Sequence, residues 1–105
     1  MAVHAEISVI PVSKKGGTSM SREVAAAFDA IRKTRGVKAT LTALGTQIEA
    51  RDIDSALRAV RAAHVAVRKA GAARIISSVR IDERLDRDQT LEDKVRSVKR
   101  ELSSE

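Results

Sequence analysis

The feature that most constrains the fold is the order in which hydrophobic periodicity changes along the chain. Apolar and polar residues alternate in "VHAEISVIPV", in "VKATLTAL", in "TQIEA" after Gly45, and in "RIISSVRID", and a period of two is typical of half-buried strands. Apolar residues recur at helical spacing after Ser21, after Asp52 and after Thr90. The predicted order is therefore strand, helix, strand, strand, helix, strand, helix.

Short polar residues and glycines mark where these elements begin and end. "SKKGGTS" predicts a loop, Asp52 an N-cap, and Thr90 with Asp93 a capping box, because their oxygens can accept the unpaired N–H groups of a first helical turn. Gly36 and Gly71 predict helix C-terminal caps. The order favours an α+β, ferredoxin-like βαββαβ fold: a four-stranded antiparallel sheet, two helices on one face, and an added C-terminal helix.

Each predicted strand presents one apolar face to those helices, and we expect the helices to contribute the stripes Val24, Phe28, Ile31 and Ile53, Leu57, Val60, His64, Val67. The other faces carry His4, Glu6, Ser8, Thr40, Thr42, Gln47, Glu49, Ser78, Arg80 and Asp82. Such a face fits a solvated sheet and equally fits one covered by another subunit or by a polar ligand. Parity puts Thr46 on the inner face, unless a bulge at Gly45 reverses it.

Composition limits the class of protein. The chain has 105 residues, a net charge of +6 and no cysteine, which predicts one domain over residues 1–105 without disulfides. The start shows no signal-peptide pattern and no apolar run reaches membrane-spanning length, so we expect a cytoplasmic protein with no membrane partner. Phe28 is the sole aromatic residue, which argues against nucleic acid bound by base stacking on the sheet.

Catalytic and metal chemistry find little support in these residues. His4 and His64 are the two histidines and lie on different elements, which disfavours a metal site. We interpret His64 as a packed histidine with a satisfied ring. There is no cysteine, and no serine lies beside a histidine and a carboxylate in a recognised motif. We therefore expect neither a metal, nor another cofactor, nor an enzyme.

Taken together, "EISVIPV", "TSMSREVAAAF", "GTQIEA", "AHVAVRKAGAARIISSVRIDER" and "EDKVRSVKREL" resemble the small thiamine-binding protein family over nearly the whole chain. The resemblance implies a ferredoxin-like fold, assembly into homodimers or homotetramers with sheets packed between subunits, and binding of thiamine or its hydroxymethylpyrimidine part without known catalysis. Family positions carried over by motif are Ser8, Ser19, Ser21, Thr46, Glu49, Arg74, Asp82 and Arg84.

Three functions remain open at this stage. The first is non-catalytic binding of thiamine or a related pyrimidine on the uncovered sheet face near a subunit interface. Its expected ligand-binding residues are Ser8, Ser19, Ser21, Thr42, Thr46, Glu49, Arg80, Asp82 and Arg84. A carboxylate would favour the cationic thiazolium ring, and Arg80 or Arg84 could orient Asp82 or bind a phosphate. The second is a structural or regulatory interaction module without a metabolite; the third is a salvage enzyme with Glu49 or Asp82 as base.

Overall fold

The computed structural model describes residues 2–12 and 17–104. Part of the predicted loop "SKKGGTS", residues 13–16, lies outside them. The elements are β1 (Val3–Val12), α1 (Ser21–Arg32), β2 (Val37–Leu41), β3 (Thr46–Ala50), α2 (Ile53–Lys69), β4 (Arg74–Glu83) and α3 (Leu91–Ser103). The sheet has the order β2-β3-β1-β4, and all its paired strands are antiparallel. The predicted ferredoxin-like α+β architecture is confirmed.

The core lies between one face of the sheet and helices α1 and α2. Val3, Ile7 and Ile48 are almost fully buried on the sheet side, and Ile31 of α1 packs onto them. We call this the inner face of the sheet and the opposite one the outer face. The inner residues are those that the alternation predicted, because side chains of a strand point to opposite faces in turn.

The stripe predicted for α2 was right for Val67, which is buried, and for Val60, which packs against the core, but wrong for its first members. The buried side chains are Ser55, Ala56, Ala59, Ala63 and Val67, whereas Ile53 and Leu57 are 39% and 49% exposed. Small side chains let the helix approach the sheet and α1 closely, so the larger residues flank the contact instead of filling it. Large apolar residues are commonly exposed in part, and their spacing therefore identified the helix but not its buried side.

The predicted caps Asp52, Gly71 and Thr90 are confirmed, but Gly36 does not cap α1, because that helix ends at Arg32 with Lys33 as its C-cap and Gly36 lies in the turn before β2. Asp52 Oδ1 accepts the Ser55 N–H at 2.8 Å, and Thr90 and Asp93 form the reciprocal capping box. Gly36 and Gly71 have φ angles of +79° and +100°, a region in which residues with a Cβ atom are strained. These contacts satisfy backbone groups that a helix leaves unpaired at its termini.

Two strands differ from the prediction. β2 ends at Leu41 and not at Leu44, because residues 42–45 form the turn into β3. β4 is an edge strand that pairs with β1 alone, and its inner-face residues Val79 and Ile81 are 39% and 41% exposed. The helices therefore do not cover the inner face of β4 completely.

Helix α3 lies over the outer face, so that face is partly covered by the chain itself. The Leu91 N–H donates to Glu49 Oε1 at 2.6 Å, and Lys94 forms an ion pair with Asp82. No residue of α3 is buried, and Val95, Val98 and Leu102 are more than half exposed. Polar contacts near its first turn hold this helix, and its apolar stripe is free for a further contact.

Candidate functional site

Three of the predicted ligand-binding residues meet in one pocket at the end of the sheet. Ser8, Thr42 and Thr46 line a cavity of about 240 Å³. Its apolar walls come from Ile7, Val9, Met20, Val24, Ala27, Ile31 and Leu44. We call this cavity the hydroxyl pocket. Apolar walls with a few well-placed hydroxyls are typical of small-molecule sites.

The hydroxyl pocket exists because β1 is longer than its neighbour β3. β1 pairs with β4 as far as Val12 but with β3 only as far as Ile7. Beyond Ile7, the β3 side of β1 faces no other strand in the described part of the chain. The Ile7 carbonyl oxygen lies near Gly45, and backbone groups two residues apart point to the same side. The backbone of Val9 is therefore directed toward the pocket.

The turn that closes the hydroxyl pocket is held by Thr42. Its N–H and its hydroxyl both donate to the Gly45 carbonyl, at 2.9 and 2.7 Å. The Thr42 oxygen can still accept a hydrogen bond from a ligand. Thr46 pairs in register with Ile7 and Leu41, so no bulge reverses it; it lies on the inner face, is buried, and lines the pocket from there.

Ser19 and Ser21 lie at the start of α1 outside the hydroxyl pocket. Both are exposed, and the Ser21 N–H donates to Ser19 Oγ at 3.4 Å. Met20, between them, reaches the pocket, whereas Ser21 lines a separate groove on the other side of α1. The structure therefore does not bring either hydroxyl into the hydroxyl pocket.

The charged members of the predicted site lie toward the other end of β1. His4, near the start of that strand, pairs in register with both Glu49 and Asp82. A row of outer-face side chains therefore runs Glu49, His4, Asp82. The first turn of α3 covers this row through its contacts with Glu49 and Asp82. The structure thus divides the predicted residues between two places.

Lys94, rather than an arginine, holds Asp82. The Lys94 hydrogen bond lowers the pKa of Asp82, with smaller contributions from the charges of Lys94, His4 and Arg84. Arg84 instead donates two hydrogen bonds to Asp86, at 2.6 and 3.1 Å. Arg80 lines a cavity beside Asp82 and forms no ion pair within the described residues. Asp82 is therefore ionised at neutral pH and already paired.

His4 is the residue that sequence reasoning left without a role. It was placed on the outer face, which the sequence left open as solvated or covered; it is 5% exposed, and its Nε2 atom has no hydrogen-bond partner among the described residues. His4 lines the same cavity as Leu91 and Val95 of α3, a helix whose position the local sequence pattern does not specify. Glu49 and Asp82 lie beside His4 on the neighbouring strands, and this could be recognised only once the register was known.

His64 is a satisfied packed histidine, as predicted. Its Nδ1 atom lies 2.7 Å from Ser77 Oγ on β4, and the side chain is partly buried. No group of three or more histidine, aspartate or glutamate side chains in residues 2–12 and 17–104 could hold a metal ion. Over the same residues, no helix has the length and apolar character needed to cross a bilayer.

Comparison with known proteins agrees with this architecture. The family model described as thiamine-binding protein matches residues 5–99. A UPF0045 protein of Methanothermobacter thermautotrophicus is 43% identical over 95% of this chain and 99% of its own length. The crystal structure of a hypothetical protein from Methanocaldococcus jannaschii has a TM-score of 0.83 at 37% identity, covering 93% of this chain and 96% of that one.

A more distant structure shares the fold alone. A Thermotoga maritima protein named for thiamine biosynthesis or salvage has a TM-score of 0.75 at 20% identity, covering 93% of this chain and 99% of that one. The family match covers all residues that line the hydroxyl pocket, and it covers Glu49 and Asp82 of the outer-face row. The chain therefore belongs to the thiamine-binding protein family.

Proposed function

We propose that the protein binds thiamine or a related hydroxymethylpyrimidine in the hydroxyl pocket, without catalysing a reaction. The observation that carries the proposal is the meeting of Ser8, Thr42 and Thr46 in one largely apolar cavity of a thiamine-binding family member. An aminopyrimidine ring has an apolar face and an edge of donors and acceptors, and hydroxyls and backbone groups can match that edge.

Size supports the pyrimidine part as the group that enters. The cavity of about 240 Å³ lies below the roughly 300–1,000 Å³ of sites that enclose drug-sized ligands. A single substituted ring fits such a volume, and the thiazolium ring of thiamine then extends through the mouth. Ser19 and Ser21, exposed at the start of α1 on either side of Met20, are the residues that we expect to meet it there. Apolar contact with Ile7, Val24 and Ile31 replaces aromatic stacking.

A homodimer or homotetramer belongs to the same proposal, with the pocket near the boundary between copies. Ile10 and Ile76 face each other across β1 and β4 on the outer face and are 41% and 44% exposed. The stripe of α3 formed by Val95, Val98 and Leu102 is also exposed. A second copy would cover both apolar areas. The ligand held by one copy would then be contacted, across the boundary, by the other copy through Glu49, Arg80, Asp82 or Arg84. We place this assembly in the cytoplasm.

The exposed apolar stripe also favours the second candidate, an interaction module that holds no metabolite. In that case the oligomer forms but the hydroxyl pocket stays empty. Titration calorimetry with thiamine, its phosphates and hydroxymethylpyrimidine separates the two functions. Saturable binding of one compound supports the ligand-binding function, whereas absence of heat with all of them, from an intact oligomer, supports the module.

Two variants test the location of the site. Thr46→Val keeps the shape of the side chain and removes its hydroxyl. Ser8→Ala removes the hydroxyl of Ser8. Loss of one hydrogen bond of about 1 kcal/mol weakens binding about five- to tenfold. Thr40→Val on the outer face of β2 is the matched control and should bind normally. Equal affinities for Thr46→Val, Ser8→Ala and the control would refute this location.

Mass spectrometry of the compounds after incubation with the protein tests the absence of catalysis. Conversion of any compound would refute it.

A further inference from the structure

Another cavity lies beneath α3 on the outer face, away from the hydroxyl pocket. It has a volume of about 290 Å³, and its lining includes His4, Glu6, Arg80, Leu91 and Val95. We call it the His4 pocket. It shares no lining residue with the hydroxyl pocket.

His4 is buried at the His4 pocket with an unused nitrogen. Only 5% of the residue is exposed, and Nε2 has no hydrogen-bond partner in the described chain. The two carboxylates beside it in register are engaged elsewhere, since Glu49 accepts the Leu91 N–H and Asp82 pairs with Lys94. A buried polar atom without a partner is costly, and His4 lines this cavity; a polar group bound there is one way to supply the missing partner.

Glu6 and Arg80 are directly opposed across β1 and β4 on the outer face. Opposite charges in this position usually attract each other, yet no ion pair joins them, and both line the His4 pocket. The Glu6 carboxylate has one neighbour, the Gln47 amide, which donates to it at 3.4 Å. The cavity is therefore bordered by a carboxylate and a guanidinium that carry opposite charges and form no ion pair within the described residues.

The charges of the wall select the class of ligand. The formal charges of Glu6 and Asp82 balance those of Arg80 and Lys94, so neither a simple anion nor a simple cation is favoured. A guanidinium binds a carboxylate through two parallel hydrogen bonds, and a carboxylate binds an ammonium group. Leu91 and Val95 supply an apolar wall beside these groups.

We propose that the His4 pocket binds a free zwitterionic amino acid with a small aliphatic side chain. Its ammonium group donates to Glu6, its carboxylate accepts from Arg80 and from His4 Nε2–H, and its side chain contacts Leu91 and Val95. Because α3 forms the roof of the cavity, bound amino acid also fastens this helix to the sheet.

Nuclear magnetic resonance of the wild-type protein tests the proposal without any substitution. The long-range ¹H–¹⁵N spectrum of His4 is followed during addition of L-valine, isovalerate or isobutylamine, each up to about 10 mM. Isovalerate lacks the ammonium group and isobutylamine lacks the carboxylate. We expect L-valine to shift the His4 Nε2 resonance in a saturable way, with little effect of the two analogues. An equal shift by isovalerate overturns the proposal, as does the absence of a shift with each of glycine, L-alanine, L-valine and L-leucine.

Calorimetry of variants then tests the two charges. Glu6→Gln and Arg80→Gln each leave a charged group of the ligand unpaired and should weaken L-valine binding at least about tenfold. Arg61→Gln, an exposed position of α2, is the matched control and should bind normally. Thiamine binding should be unchanged in Glu6→Gln, so the proposals for the two pockets can be confirmed or refuted independently. Unchanged L-valine affinity in both pocket variants overturns the assignment of Glu6 and Arg80.

Discussion

The attachment of α3 to the sheet gives the most direct test of the structure. No side chain of this 13-residue helix is buried, and an isolated helix shorter than roughly 12–15 residues is marginal in water. Its position therefore depends on a few polar contacts, of which the 2.6 Å bond from the Leu91 N–H to Glu49 is the most buried. We predict that Glu49→Gln loosens α3.

The size of the effect follows from that contact. A charged acceptor makes a hydrogen bond about twice as strong as a neutral one, so the substitution loses about 1 kcal/mol of bond strength. Loss of a negative charge at a helix N-terminus costs a further 0.3–1 kcal/mol or so. The total of about 1–2 kcal/mol corresponds to a roughly 5–30-fold change in the opening equilibrium.

Amide hydrogen exchange measures this equilibrium. Amides of α3 should exchange faster than core amides of α2 in wild type, because α3 can open while the rest of the domain stays folded. In Glu49→Gln, protection in α3 should fall roughly 5–30-fold. Protection in α2 should fall by no more than the same factor, since both openings start from the same native state.

Glu83→Gln is the matched control, because Glu83 is an exposed end residue of β4. The same charge change there should alter protection no more than about twofold, as expected for a surface substitution. The reasoning is refuted if α3 is as strongly protected as α2 in wild type, or if Glu49→Gln behaves like the control.

Three further predictions concern other contacts. Lys94 lowers the pKa of Asp82 below its ordinary 3.8, so the stability from this pair is complete above that pH and is lost as the pH falls below it. A circular-dichroism titration of the wild type should therefore show helix signal from α3 decreasing below that pH. In Asp82→Asn this acid-dependent decrease should be absent. Gly36 has a φ of +79°, and a Cβ there would lie 3.0 Å from Ser55 Oγ. Gly36→Ala should therefore lower the free energy of unfolding, measured in urea, by about 1–2 kcal/mol. Gly71→Ala should lower it less, because a Cβ at that position meets nothing within 4 Å in the described chain. Ser77→Ala removes the 2.7 Å partner of His64 and should cost about 1 kcal/mol in the same assay with ligand binding unchanged; a loss of binding would show that this pair serves the site.

The sequence predicted which face of the sheet several candidate site residues occupy, but not which of them lie together. Alternation placed Ser8 and Asp82 on one face, and the structure agrees, yet Ser8 lines the hydroxyl pocket and Asp82 the cavity beneath α3. Position along a strand decides which side chains meet, and that depends on register and on where a neighbouring strand stops. Thr46 shows the same limit, since it reaches the pocket from the inner face.

The sequence by itself determined the element order, the caps of α2 and α3 and the inner face of the sheet, because periodicity and capping act between residues close together in the chain. Only the tertiary structure decided that α2 packs through alanines, that β1 extends beyond β3 to leave a pocket, and that α3 lies over the outer face. Those outcomes depend on how closely separate elements approach each other. That distance is set by the packing of side chains far apart in sequence, and no local pattern encodes it.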